Sequence, residues 1–327
     1  MSAGDTIASI VYAPLQGACT EDRIRESVDG RKDKDCREFR TQFHRHKEAA
    51  IGPAEKYYTL PAACCVVIPC YNEEARLPVS EYAQFLSSGR DENIRFLFVN
   101  DGSTDGTLAT LRTFQEQFPE RVEVLDLQPN RGKAEAVRQG MLHVIASGRA
   151  GVTGFWDADL ATPLYEIREM LNVMAPKPEL ELVFGSRVKL LGRDIQRQAL
   201  RHYLGRCFAT AVSQLLDLPI YDSQCGAKLF RVTPDLSQVL KEPFHSRWIF
   251  DVEILARFLT LFGGDTHRMG EKIYELPLSK WTDVAGSKVH PLDFFRAFGE
   301  LMCIYRSYRR GLRGKNSSAG ALSVRRV

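Results

Sequence analysis

Short apolar runs recur along the middle of the chain, each closed by polar, glycine-containing residues. They are CCVVIP (64–69), IRFLFVN (94–100), VEVLDL (122–127), VTGFWD (152–157) and LELVFGS (180–186). Helix-length amphipathic stretches lie between them, near 73–88, 105–118, 132–147 and 163–174. Strand and helix alternating at a spacing of about 30 residues predict βαβ units and a mostly parallel sheet covered by helices. Such a sheet binds ligands at the carboxyl ends of its strands. The unusual loops fall at those ends: CYNEE after the first run, NDGSTDGT after the second, NRGK after the third and DAD after the fourth. That rim is the predicted site.

Beyond Arg187 the period changes. Residues 196–216 place Leu200, Tyr203, Leu204, Cys207, Phe208, Ala211, Val212 and Leu215 on one helical stripe, with Arg197, Arg201, His202 and Arg206 at its start. A second helix is predicted over 291–311, with Phe294, Phe295, Phe298, Leu301, Met302 and Tyr305 on one face. A basic run from Arg306 through Arg309, Arg310 and Arg313 to Lys315 follows. Either stripe packs on the sheet or lies in a membrane interface; basic and aromatic amphipathic helices do both. Ahead of residue 61 the texture is different again: dense charges of both signs (EDRIRESVDGRKDKDCREFR) suit a solvated extension. The expected organisation is a charged extension over 1–60, a catalytic domain over 61–290, and a C-terminal helix with a basic tail over 291–327.

Composition narrows the classes. A net charge of +3 over 327 residues gives no bulk affinity for polyanions, so a nucleic-acid partner is not expected. Eight cysteines occur without a CxxC pair and no histidines have zinc-ligand spacing, which predicts reduced, mostly buried thiols in a cytoplasmic protein. No secretory signal and no stretch of about 20 apolar residues is visible, so any membrane contact is expected to be peripheral.

The rim loops carry the chemistry. Asp101 ends a strand before a glycine turn, where its carboxylate can accept a nucleobase N–H; Asp105 reads as a helix cap. Gly132 and Lys133 open a helix, where backbone N–H groups and a cation suit an anion. Neither a P-loop nor a GxGxxG fingerprint is present, which disfavours a nicotinamide oxidoreductase. Asp157 and Asp159, flanking Ala158, resist joint ionisation unless a cation lies between them. A hard divalent ion, Mg²⁺ or Mn²⁺, bridging to diphosphate oxygens meets that need. An extended strand would send the two carboxylates to opposite faces, so the chain is expected to turn there, and Pro163 fits such a break.

VVIPCYNEE, VNDGSTDGT, NRGKAEAVRQG, DADLATP and FGSR resemble, in order and spacing, family 2 glycosyltransferases of the GT-A fold. DSQCGAKLF, RWIFDVEIL and KWTDVAGSKV are similar to the branch that transfers sugars to polyprenyl phosphates, the dolichyl-phosphate β-glucosyltransferases among them. The resemblance covers roughly residues 64–290 and implies a Rossmann-like, mixed but mostly parallel sheet. It implies Pro69, Tyr71 and Glu73 around base and ribose, Asp101 on the base, and Asp157 and Asp159 on the metal and diphosphate. Arg187, Gln224 and Lys228 would sit near donor sugar and acceptor phosphate, Trp248 and Asp251 would shape the sugar pocket, and Ser287 and Lys288 would close over the diphosphate. Related mannosyl-phosphate enzymes often have Gln two residues after the second Asp, where this chain has Ala161.

The implied reaction is inverting transfer of a hexose from a nucleotide sugar, UDP-glucose favoured and GDP-mannose open, to a polyprenyl phosphate. Arg187, Arg197, Arg201 and Arg231 are the candidates to hold that phosphate, with a surface role as the alternative for each. A saccharide, protein or other soluble hydroxyl acceptor would instead need a general base, for which Asp251 is the candidate; its alternative role is a cap on a helix over 248–261. A non-catalytic nucleotide-sugar-binding protein is the remaining class.

Overall fold

The computed structural model describes residues 63–196, 199–283 and 291–312. Its strands are β1 (Cys64–Cys70), β2 (Ile94–Asp101), β3 (Val122–Leu127), β4 (Val152–Trp156), β5 (Leu182–Ser186), β6 (Asp194–Gln196), β7 (Ala227–Arg231), β8 (Ile273–Pro277) and β9 (Lys280–Thr282). Seven form one sheet in the order β3-β2-β1-β4-β7-β5-β8; β6 and β9 pair as a separate ribbon. All strands of the large sheet run parallel except β7, which is antiparallel to both neighbours.

The central strands read as unbroken apolar runs because both faces are covered. Val67, Leu97 and Val99 point into one core, while Val66, Ile68, Phe96 and Phe98 point into another, all fully buried. The first core is closed by helices α3 (Lys133–Ser147), α5 (Ala199–Leu216), α6 (Pro234–Leu240), α7 (Phe250–Leu261) and α9 (Pro291–Leu312). The second is closed by α1 (Val79–Ser87), α2 (Thr107–Gln117) and α4 (Tyr165–Met174). There Tyr82 meets Phe96, Phe98 and Phe114 edge-on, with ring centroids 5.1–6.5 Å apart. A short helix α8 (Thr266–Lys272) leads into the edge strand β8.

The helical stripes near 200 and 300 resolve toward packing. Phe208 and Val212 of α5 and Leu301 and Ile304 of α9 are buried in the same core as α7, and Phe208 meets Phe298 edge-on. The described part of the C-terminal helix packs into this core, while Met302, Arg306, Arg309 and Arg310 face outward. Among the six described cysteines Cys64, Cys70 and Cys225 are buried, Cys65 is half-buried, and Cys207 and Cys303 are exposed. The expectation of mostly buried thiols therefore holds for only half of them. Residues 1–60 and the basic tail from Arg313 lie outside the described residues.

Candidate active site

The carboxyl ends of β1, β2, β4 and β5 and the amino end of β7 share one rim, because β7 enters between β4 and β5 in the opposite sense. Trp156 at the end of β4 faces Ala227 at the start of β7, and Phe184 of β5 faces Lys228. Two walls of the crevice are laced together: Thr107 Oγ1 accepts the Glu73 N–H at 2.8 Å, Glu74 Oε2 accepts the Gly106 N–H at 2.9 Å, and Asn72 Oδ1 accepts the Thr104 N–H at 2.9 Å. Tyr71 is exposed at this wall, Pro69 lies half-buried in β1, and Glu73 pairs with Arg76 at 2.6 Å.

The chain does turn at the DAD sequence. Leu160 adopts φ +53°, a left-handed conformation that costs a leucine about 1–2 kcal/mol, and its N–H bonds Asp157 O at 3.3 Å. Trp156 Nε1 donates to Thr162 O at 2.7 Å, Thr282 N to Ala161 O at 3.1 Å, and Tyr82 OH to Ala158 O at 3.4 Å. Ala161 itself sends its N–H to Asp159 Oδ1 at 3.1 Å, so this position serves the turn through its backbone. Asp157 is pinned from β7: its N–H bonds Gly226 O at 3.0 Å, and a Cβ on Gly226 would lie 1.9 Å from Asp157 Oδ2.

Lys133 Nζ binds Asp157 Oδ1 from the start of α3. Partial burial works against the lysine's charge, but Asp157, with Asp251 and Asp159 beyond it, more than offsets this and raises its pKa. Asp159 is shifted upward too, first by loss of solvent and then by the charge of Asp157. These are two hard oxygen donors whose mutual repulsion a cation would relieve. Among the described residues no third histidine, cysteine or acid joins them in a metal-binding group. Two hard carboxylate donors at one turn fit Mg²⁺ or Mn²⁺.

The Gly132 expectation needs correction. The N–H groups of Arg131 and Gly132 are already taken, at 2.8 and 2.7 Å, by the carboxylate of Asp101, which also accepts Asn130 Nδ2 at 2.9 Å. Asp101 is 2% exposed and ties the end of β2 to the loop before α3. This anion binder at the helix start is satisfied from within the chain, while Lys133 reaches Asp157 on the rim.

Arg187 follows β5 directly. Its Nε and Nη2 bond Asp222 Oδ2 and Oδ1 at 2.6 and 2.7 Å, and its guanidinium stacks on Trp281 at 5.3 Å. Burial opposes the charge, but Asp222 and, farther off, Asp157 hold the guanidinium's pKa above its ordinary value. Nη1 has no hydrogen bond among the described residues. The Asp222 segment is itself held: Glu275 of β8 accepts the N–H groups of Tyr221 and Asp222 at 2.8 and 2.6 Å. Asp222, Glu275 and Gly226 were not singled out as site residues by sequence; only the polar density of YDSQCGAK hinted at the first and last.

Lys228 is 1% exposed, with its ammonium 2.7 Å from Asp251 Oδ1 and 2.5 Å from Cys225 O. Asp251 lies in the first turn of α7 and makes no cap; Ile249 is the residue at the cap. Gln224 Nε2 and Ser223 Oγ are buried beside them without a hydrogen-bond partner among the described residues. Trp248 is 41% exposed, three residues before Asp251, with its N–H on Glu300. Arg231 is not brought to the site. It pairs in register with Val152 at the opposite end of β4, and its guanidinium caps α4 through Met174 O at 3.0 Å and bonds Leu180 O at 3.0 Å. Arg197, Ser287, Lys288 and the side chain of Arg201 lie outside the described residues.

A sequence model for glycosyl transferase family 2 matches residues 65–236. The dolichyl-phosphate beta-glucosyltransferase of Dictyostelium discoideum is 32% identical over 70% of this chain and 69% of its own length. That of Saccharomyces cerevisiae is 32% identical over 76% and 75%, and the human one 31% identical over 76% and 79%. Among solved structures, glucosyl-3-phosphoglycerate synthase of Mycobacterium tuberculosis in complex with Mn²⁺ and uridine-diphosphate-glucose has a TM-score of 0.55 at 17% identity, covering 78% of this chain and 81% of its own. A second crystal structure of that enzyme also has a TM-score of 0.55, at 15% identity over 78% of this chain and 83% of its own. These structures share the fold.

Proposed function

The chain belongs to glycosyl transferase family 2, and from that membership we propose that it transfers glucose from UDP-glucose to a dolichyl-type polyprenyl phosphate with inversion at the anomeric carbon. The carrying observation is the convergence of the DAD turn, Lys133 and the Asp222-clamped Arg187 on one rim. A divalent ion held by Asp157 and Asp159 would supply charge stabilisation for the departing diphosphate. Solved relatives of the fold carry Mn²⁺ with UDP-glucose, or Mg²⁺ with UDP, which supports the same pairing here.

In this reading Lys133 adds a mobile cation beside the diphosphate, and Lys288 is proposed to close over it with Ser287. Pro69, Tyr71 and Glu73 border the base and ribose, and Asp101 acts by shaping that edge. Gln224, Trp248 and the Lys228–Asp251 pair frame the sugar. Arg187 orients the acceptor phosphate, assisted by Arg197 and Arg201. A phosphate oxygen attacks C1 of glucose, the bond from C1 to the UDP oxygen breaks, and UDP leaves with that electron pair. A lipid phosphate, with its second pKa near 6, is already anionic, so no proton need be removed. Asp251 is engaged by Lys228, which favours this acceptor over a hydroxyl that would need a free base.

A polyprenyl phosphate is presented at a bilayer, so the enzyme works there as a peripheral protein, on the cytoplasmic face from which the water-soluble donor arrives. Among the described residues no helix is long and apolar enough to cross a membrane. The test is transfer of radiolabelled glucose from UDP-glucose to dolichyl phosphate with Mn²⁺ or Mg²⁺, against GDP-mannose and against soluble saccharide acceptors. Metal-dependent product only with UDP-glucose and dolichyl phosphate is expected. Equal transfer to soluble acceptors without lipid would overturn the acceptor assignment.

A further inference from the structure

Immediately after Arg187 the chain makes a tight turn, Val188–Arg193, of sequence VKLLGR. Leu190 N–H bonds Val188 O at 3.1 Å, Arg193 N–H bonds Leu190 O at 3.2 Å, and Gly192 takes φ +79° to close it. Both ends are anchored, one by the Arg187–Asp222 clamp and the other by Asp194 N–H on Ser279 O at 2.9 Å. The turn therefore holds Leu190, 49% exposed, and Leu191, fully exposed, out into solvent. Lys189 and Arg193 flank them, both exposed and without a carboxylate partner among the described residues. The nearest acid in sequence, Asp194, receives Gln196 Nε2 and stands in register opposite Lys280, so the local balance stays positive.

We propose that this turn is a bilayer-docking element, its two leucines seated in an anionic lipid surface beside the acceptor site. The proposal rests on the polyprenyl-phosphate reading above. Two leucines are far too small for a stable protein interface, which buries about 800 Å² per partner. They suit a wedge at the boundary of headgroups and acyl chains, with basic flanks drawn to anionic lipid. The reach agrees: Leu191 lies four positions beyond Arg187, at most about 14 Å of chain. A wedge seated roughly 5–10 Å into that boundary keeps Arg187 at the level of the headgroups, where a lipid phosphate lies. The helix α9 also has a basic outer face, but its described residues Ala297, Leu301 and Ile304 are buried in the core it shares with α7.

The experiment is flotation of the full chain with phosphatidylcholine vesicles, with and without phosphatidylserine, in the absence of donor and acceptor. Wild type should partition onto the vesicles, more strongly with phosphatidylserine and less so at high salt. The paired change Leu190→Ser and Leu191→Ser should lower partition by about tenfold or more; Lys189→Ser with Arg193→Ser should remove the dependence on phosphatidylserine. Transfer to a short, water-soluble prenyl phosphate should be unchanged in both, which also reports correct folding, while transfer to dolichyl phosphate in vesicles should fall with the leucine change. Vesicle partition equal to wild type in the leucine variant overturns the proposal. Wild-type partition that depends on the leucines, without transfer to either prenyl phosphate, would support the docking element and overturn the functional reading instead.

Discussion

Gly226→Ala perturbs the Asp157 carboxylate, proposed above to hold the metal, while leaving the backbone free to fold. Gly226 does not occupy the left-handed region, so an alanine fits its backbone; the nearest atoms its Cβ would meet are all of the Asp157 carboxylate. The new Cβ would lie 1.9 Å from Oδ2 and 2.2 Å from Cγ, where contacts under 3.0 Å do not persist, so the carboxylate must withdraw by about 1.1 Å or more. Asp157 is partly exposed, its side chain at 35%, and can rotate away without opening the core. Misplacement of a reacting group by about 1 Å costs on the order of 100-fold in rate, equivalent to roughly 2.7 kcal/mol of transition-state stabilisation. We expect a thermal midpoint close to wild type, a fall in kcat/KM of about that size, and weaker Mn²⁺-dependent binding of UDP by calorimetry. Wild-type Mn²⁺–UDP affinity in the alanine variant would refute the reasoning, because the crowding would then not reach the ligand site.

Three further outcomes follow from the charges. Asp222→Asn should slow transfer about tenfold or more with donor affinity kept, and cost little further in an Arg187→Ala background, since Asp222 acts through the guanidinium; an equal loss in both backgrounds would argue otherwise. Lys228→Met strands the buried Asp251 and should destabilise by about 3–5 kcal/mol in urea unfolding, with Asp251→Asn in the same chain recovering part of it. Asp159 has a raised pKa in the folded state, so its contribution to stability is complete below the unfolded pKa and is lost as pH rises through the folded one. Asp159→Asn should therefore raise the melting temperature of the metal-free protein at neutral pH, lose that advantage in acid, and abolish stabilisation by Mn²⁺.

The sequence by itself determined the alternation of strand and helix, the rim on which the loops gather and the turn between Asp157 and Asp159. Strands covered on both faces leave unbroken apolar runs such as IRFLFVN, and polar loops at their ends stand out against them. Two close carboxylates after an apolar strand raise, on electrostatic grounds alone, the expectation of a compensating cation. Only the tertiary structure decided which groups answer one another across the chain. The reversed strand β7 carries Lys228, and Gly226 just before it, to the same rim, the Arg187–Asp222 clamp spans 35 residues, and the Asp222–Glu275 support spans 53. It also turned Asp101 onto the N–H groups of Arg131 and Gly132, and sent Arg231 to the far end of the sheet. Periodicity reports which face of an element is buried; pairings at such separations arise from strand order, and no local pattern encodes the direction in which β7 enters the sheet.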